Sequence, residues 1–333
     1  MANIKTRAAL KELLLSHRIF VSTVNSIAGK KDLLQIKQID QVIIDEASQL
    51  LEPYLVGLLP HFKRFVLIGD HQQLPAVVLQ DSEVSKVEEE DLNAIGLKNL
   101  RDSYFERLYK QCIKNGWHWA HAQLSHQGRM HEQIMDFPNR FFYNNNLKIL
   151  PQNIGHGEQL LDLSYQLPPD PTFLESELCS KRVLFISTAI DNTSITHKTN
   201  RHEAWKIVEL MQSIERIYAT NQLDITPKSV GVITPYRAQI AQIRQQLMSE
   251  KINIRHLTID TVERYQGGAR DIIILSLCTN SLSQLDALVS LSEEGVDRRL
   301  NVALTRARKH LIILGNEEVL KMNPIYGELI GNV

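Results

Sequence analysis

Apolar residues along this chain follow two rhythms. Short continuous runs occur at 42–45, 65–68, 183–187 (VLFIS), 229–234 (SVGVIT), 256–260 (HLTID), 271–276 (DIIILS) and 310–315 (HLIILG). Runs of that length predict strands buried on both faces. Between them apolar residues recur at helical spacing, as in Ala204, Ile207, Val208 and Met211, or Ile240, Ile243 and Leu247. Residues 5–16 and 103–115 also read as helices, the second ending at Gly116. Residues 18–23, RIFVST, predict a further strand that ends in hydroxyls. This alternation argues for an α/β protein whose parallel sheets are covered by helices.

With 333 residues the chain has room for two cores. A boundary near residue 120 would divide it into 1–120 and 121–333. The stretch 151–180, with Pro151, Pro168, Pro169 and Pro171, reads as an insertion or long connection. The acidic segment 81–91 reads as a solvated loop or helix face. Lys and Arg total 37 against 38 Asp and Glu, which excludes a globally basic protein, so any nucleic-acid site must be a local groove. Cys112, Cys179 and Cys278 are too scattered for a CxxC pair and read as incidental thiols. There is no apolar run of about 18 residues that would cross a membrane. The opening MANIKTRAALKELLL is not a secretory signal, so a reducing, cytoplasmic setting is expected.

The chemistry lies where apolar runs meet polar residues, the place where parallel sheets put their sites. VIIDEASQ (42–49) leaves its strand with Asp45, suited to Mg²⁺, and Glu46, suited to polarising an attacking water. Strand-end acids also cap helices, so this segment alone does not decide. LIGDHQQLP (67–75) adds Gly69, Asp70 and Gln73, whose amide can both donate to phosphate and accept from water. In QGRMHEQIMDFPNRFFY, Arg129 precedes a helix and can reach a phosphate, while His131, Phe137, Phe141 and Phe142 cap or pack. GVITPYRAQI sets Thr234 and Tyr236 at a strand end, suited to a nucleic-acid backbone or to packing. TIDTVERYQGGARD forms a turn from Thr261, Gln266 and Gly267 that lets the backbone approach a ligand. DRRLNVALTRARKHLIILG carries Arg298, Arg299, Arg306 and Arg308, expected on a helix before a strand.

Taken in order, DEASQ, GDHQQLP, QGRMH…FP…FY, TPYRAQ, T…YQGGARD and RRLNVALTRAR resemble the motifs of superfamily 1B helicases. That group includes the nonsense-mediated-decay RNA helicase and the Okazaki-fragment nuclease-helicase, and the resemblance spans roughly 18–316. It implies two RecA-like domains of P-loop-NTPase type, ATP with Mg²⁺ between them, and single-stranded DNA or RNA across their top. On that basis Asp45 and Glu46 are the magnesium and water-activating acids, and Gln73 is the γ-phosphate sensor. Arg129 and Arg306 are the two arginine fingers. Asp70, Gln266 and Gly267 lie beside the nucleotide, and Thr23, Thr234, Tyr236 and Thr261 meet the strand.

The chain departs from that pattern in three places. The phosphate loop GxxxxGK[ST] is absent, AGKKD at 28–32 lacking both the leading glycine and the hydroxyl. The first domain is therefore expected to be truncated at its N-terminus, with an open sheet edge and an upstream polypeptide supplying the loop. Gly128 stands where the family has Tyr, and Ala269 where it often has an acid. Three readings follow: the C-terminal portion of an ATP-dependent helicase or translocase, a non-catalytic nucleic-acid- or protein-binding module, or an inactive split-gene fragment.

Overall fold

The computed structural model describes residues 7–78, 80–154, 157–194, 198–292 and 295–331. The chain forms two compact units, Met1–Gln123 and Leu124–Val333.

In the first unit, helices α1 (Arg7–Ser16), α2 (Val24–Ala28) and α3 (Lys31–Ile36) lead to strand β1 (Ile39–Ile44). Helix α4 (Glu52–Val56) precedes β2 (Phe62–Leu67), and α5 (Glu90–Ala94) and α6 (Tyr104–Lys114) follow. Strands β1 and β2 pair in parallel, Ile43 opposite Val66 and Ile44 opposite Leu67. Side chains alternate across a strand, so Ile44 joins Ala47, Leu55 and Leu59 in a small core while Ile43 and Val66 stay exposed on the other face. The Arg107 Nε donates to the Glu52 Oε2 at 2.7 Å, a buried pair that ties α6 to α4.

The expected helix at 5–16 is α1, residues 5 and 6 lying outside the described residues. The expected strand at 18–23 does not form. RIFVST runs exposed, Val21 at 95% of its surface, and Thr23 caps α2 by accepting from the Ser26 N–H at 3.2 Å. Strand propensity alone does not hold an unpaired segment. The helix expected at 103–115 is α6, capped by Ser103, and the chain leaves it at Gly116 with φ 67.

The second unit opens with a short parallel pair, β3 (His126–Gln127) and β4 (Lys148–Ile149), on either side of α7 (Glu132–Phe142). After an irregular stretch come α8 (Phe173–Ser180), β5 (Val183–Ser187), α9 (Arg201–Thr220), β6 (Val230–Ile233) and α10 (Arg237–Ser249). Then follow β7 (Thr258–Asp260), α11 (Val262–Tyr265), β8 (Arg270–Ser276), α12 (Leu282–Leu288), α13 (Arg298–Leu304) and β9 (Ala307–Gly315). Helices α14 (Glu317–Leu320) and α15 (Pro324–Gly331) close the unit. The five strands run parallel in the order β5-β9-β8-β6-β7. On β8, Ile272 and Ile274 share a core with Ile207 and Met211 of α9 and Ile243 and Leu247 of α10. Ile273 and Leu275 point the opposite way and are equally buried, so both faces of this sheet are covered.

The stretch expected as an insertion, 151–180, is largely irregular, with a 3₁₀ turn at Glu158–Leu160, but its last eight residues form α8. Residues 155 and 156 lie outside the described residues. Gly231 permits a close approach inside the sheet, since a Cβ there would sit 2.4 Å from the Tyr265 hydroxyl. Among the described residues no helix is long and apolar enough to cross a membrane. Cys112 and Cys278 are buried and Cys179 is half-buried, all three unpaired.

Candidate functional site

In the first unit the two acid-bearing segments meet directly. The Ile68 N–H donates to the Ile44 carbonyl and the Ala47 N–H to the Ile68 carbonyl, each at 2.8 Å, so both strand ends open side by side. Gly69 serves this approach through its size: a Cβ there would lie 2.9 Å from the Ser48 backbone nitrogen. The Asp70 N–H then donates to the Ser48 Oγ at 3.3 Å. Asp45 and Glu46 stand exposed at the end of β1, with the Glu46 N–H donating to the Asp45 Oδ1 at 2.9 Å. Glu46 has φ 54, a left-handed conformation that costs a non-glycine residue about 1–3 kcal/mol and that tends to persist at functional sites. Its carboxylate accepts from the Gln49 Nε2 at 2.7 Å. The Gln73 amide donates to the Asp70 Oδ2 at 2.8 Å, and the Gln72 N–H to the Asp70 Oδ1 at 2.9 Å. Asp70 therefore orients Gln73. The Thr23 hydroxyl is engaged at the start of α2, where it accepts from the Ser26 N–H.

In the second unit the two arginines singled out from sequence converge on one residue. The Arg129 Nη1 donates to the Thr305 carbonyl at 3.3 Å, and the Arg306 Nη2 donates to the Thr305 Oγ1 at 3.1 Å. The glycine turn joins them, because the Arg306 Nη1 reaches the Gly268 carbonyl at 3.4 Å and the Arg306 Nε the Val302 carbonyl at 3.1 Å. The four arginines expected on one helix do not share it. Helix α13 holds only Arg298 and Arg299 and stops at Leu304; Arg306 lies in the turn, 1% exposed, and Arg308 is already in β9. Thr305 is thus a bridging residue that charge-based reading passes over.

Gln266 ends α11, and its Nε2 is buried with no hydrogen-bond partner, while Gly267 has φ 78 and open space around its Cα. An unpaired buried amide beside an exposed glycine leaves a donor for a ligand oxygen. Thr234 ends β6, 1% exposed, and its Oγ1 is likewise without a partner. The Thr234 N–H donates to the Asp260 carbonyl at 3.2 Å, so Thr234 and Thr261 lie at neighbouring strand ends. A cavity of about 110 Å³ opens beside them, lined by Thr234, Val262, Glu263, Arg299 and Tyr326 among others. Tyr236 is half-buried at the start of α10, and burial raises its phenol above the usual range.

At Gly128, where the helicase pattern has tyrosine, a Cβ would sit 2.4 Å from the Leu150 Cδ1, so a side chain there requires the end of Leu150 to shift. His131 caps α7, accepting from the Gln133 N–H at 3.2 Å, and burial lowers its pKa to about 4. Phe137 and Phe142 are buried, as expected of packing residues.

The residues fit magnesium in the following sense. Among the described residues no cluster of three His, Cys, Asp or Glu side chains forms a metal site of its own. Mg²⁺ does not need one, since it is bound by one or two carboxylates together with substrate phosphates. Asp45, exposed at a strand end of the first unit, is a carboxylate of the kind that could serve in this way.

Two family models, both described as AAA domain, match residues 2–81 and 100–318. An uncharacterized ATP-dependent helicase of Methanocaldococcus jannaschii is 31% identical over 333 residues, covering 98% of this chain and 43% of that protein. DNA polymerase alpha-associated DNA helicase A of Saccharomyces cerevisiae is 32% identical, covering 94% of this chain and 44% of its own length. A regulator of nonsense transcripts 1 homolog of Arabidopsis thaliana is 32% identical, covering 97% and 23%. The chain thus spans less than half the length of each of these relatives.

Proposed function

Since this chain belongs to the AAA-domain family, among the superfamily 1 helicases, we propose that it works as the C-terminal portion of an ATP-dependent helicase or translocase moving on single-stranded DNA or RNA. The observation that carries the reading is the convergence of Arg129 and Arg306 on Thr305, with the Arg306 guanidinium also donating to the Gly268 carbonyl. Two guanidiniums gathered at one turn suit a site that must meet concentrated phosphate charge.

In this reading Asp45 holds Mg²⁺ and Glu46 accepts the proton of the attacking water. Gln73, oriented by Asp70, senses the terminal phosphate. Arg129 and Arg306 meet negative charge on the phosphates, and the Gln266 amide and the open backbone at Gly267 lie beside the nucleotide. Magnesium, when bound, neutralises charge that develops as the terminal phosphate departs. Thr234, Tyr236 and Thr261 contact the nucleic-acid backbone, with Thr23 a further contact from the first unit. The β1-β2 sheet has two strands among the described residues, and its open edges suit pairing with a polypeptide segment that carries GxxxxGK[ST]. Three unpaired thiols suit a reducing, cytoplasmic setting.

The test is ATP turnover by the chain, alone and with a segment bearing GxxxxGK[ST], in the presence and absence of single-stranded oligonucleotides. Turnover should rise with single strands. Glu46→Gln should lower it about 10²- to 10⁴-fold, and Arg129→Ala or Arg306→Ala about 10³-fold or more. Turnover that does not respond to single strands would overturn the proposal, and oligonucleotide binding with neither nucleotide binding nor turnover would favour a non-catalytic module.

A further inference from the structure

A second feature of the Leu124–Val333 unit lies outside every motif singled out from sequence. A cavity of about 430 Å³ opens at the carboxyl end of β5, lined by Ser187, Thr188 and Ala189, by the first turns of α9 and by Gln246 of α10. Helix α9 contributes Arg201, His202, Trp205 and Lys206. Positions i, i+1, i+4 and i+5 share one side of a helix, while Ala204, Ile207 and Val208 turn into the core. Trp205 keeps 45% of its surface exposed. This indole faces a cavity flanked by cations.

The acids near these cations hold them in place without closing the cavity. Asp191 is buried and accepts from the Thr193 N–H, the Thr193 hydroxyl and the Arg201 N–H, while the Arg201 Nε stands 3.7 Å from it. Lys206 pairs with Glu209 one turn along α9. Both side chains of this pair are half-buried, and pairs near the surface contribute little to stability.

The cavity's position points to its ligand. All five strands are parallel, so the end of β5 lies on the same edge of the sheet as Thr234 and Thr261. In the order β5-β9-β8-β6-β7, three strand spacings separate β5 from β6. That is about 14 Å at the usual inter-strand distance, or roughly four nucleotides at the ~3.4 Å rise of a stacked strand. A volume of this size accommodates a nucleoside unit.

We infer that this cavity is an additional single-stranded nucleic-acid contact, in which Trp205 stacks on a base and Arg201 and Lys206 meet the adjoining phosphates. The inference rests on the nucleic-acid partner proposed above and extends its track across the sheet edge to β5. Base-on-aromatic stacking is tolerant of sequence, which suits a protein that moves along a strand.

Fluorescence anisotropy of a labelled oligodeoxythymidine, and of the same oligomer with abasic positions, tests it on the whole chain. Trp205→Ala should weaken binding of the base-bearing oligomer about 5- to 150-fold, leave the abasic oligomer unchanged, and be rescued by Trp205→Phe. Arg201→Gln with Lys206→Gln should reduce the slope of log affinity against log salt by about 1.4, at ~0.7 per released counterion. These side chains are partly exposed, so an unchanged urea midpoint should accompany each variant. Unaltered affinity in the Trp205 and Arg201/Lys206 variants would overturn the cavity's role while leaving the proposed function standing. If the unaltered chain bound neither oligomer, the nucleic-acid reading and the cavity would fail together.

Discussion

The Met1–Gln123 unit has two parallel strands, a core of a few side chains and β residues such as Ile43 with 61% of their surface exposed. In the Leu124–Val333 unit five strands of the same parallel kind are buried on both faces, with Ile273, Ile274 and Ile312 at 0% exposure. The sequence motifs read alike in both, an apolar strand followed by polar residues, yet among the described residues the second unit's sheet is covered on both faces and the first unit's is not. The same local pattern therefore sits in two stability regimes. The candidate acids lie on the thinner unit, and the candidate arginines are anchored in the thicker one.

The widest difference should appear on truncating an isoleucine in each sheet. Ile274→Ala removes a fully buried side chain from β8 and should cost about 2–5 kcal/mol. Ile43→Ala on β1 should stay within about 0.5 kcal/mol, as exposed sites do. Urea unfolding measures both. A loss of comparable size at Ile43 would break the comparison, because it would mean that the open face of β1 is covered in solution.

A smaller effect separates two of the buried glutamates, Glu52 and Glu203. Glu52 in the first unit meets the Arg107 guanidinium. Glu203 in the second meets the Ser276 hydroxyl at 2.6 Å, the Cys278 N–H at 2.9 Å and the Thr279 backbone, within a network that also joins Asn200, Gln239 and Asn280. Burial outweighs those donors and pushes the Glu203 carboxyl up from 4.5 to about 7. Between these values the folded chain keeps a proton that the unfolded chain has released. Stability therefore falls as pH rises through that window, by about 3 kcal/mol in all. Glu203→Gln, which cannot ionise, should match the unaltered chain near pH 4.5 and exceed it by about that amount above pH 7. Urea midpoints at the two pH values report this, and an equal gap at both would show that the carboxyl does not titrate there.

Legibility from sequence follows the same divide. The strands of the second unit were readable because a run such as DIIILS is buried on both sides, and burial is what a continuous apolar run encodes. RIFVST at 18–23 carries the same signal and forms no strand, because a strand requires a partner and none pairs with it among the described residues. The acids and Gln73 were readable as residues following strands, but the left-handed backbone of Glu46 and the meeting of the two segments through Ser48 and Gly69 were not. In RRLNVALTRAR the charges are plain, whereas the end of α13 at Leu304, which turns Arg306 inward, depends on packing. Residues lining the β5 cavity come from 187–189, 201–206 and 246, and no single window of sequence contains them.

Two threonine caps give the smallest and most controlled form of the comparison. Thr172 begins α8 with a reciprocal capping box: the Glu175 N–H donates to the Thr172 Oγ1 at 3.2 Å, and the Thr172 N–H to the Glu175 Oε2 at 2.8 Å. Glu175 also pairs with Arg216 of α9 at 3.0 Å, and Leu178 of the same helix is buried in the core. Thr23 makes the corresponding contact to the Ser26 N–H at 3.2 Å, but α2 has five residues and buries none of them. Removing a cap costs about 1 kcal/mol where the helix is part of the cooperative fold. Thr172→Ala should therefore lower stability by about 1 kcal/mol, whereas Thr23→Ala should change it by only a few tenths. Urea unfolding distinguishes the two. Because Thr23 is also a proposed strand contact, its variant separates the roles: weaker oligonucleotide binding at unchanged stability assigns the hydroxyl to nucleic acid, and a stability loss equal to that of Thr172→Ala assigns it to the fold.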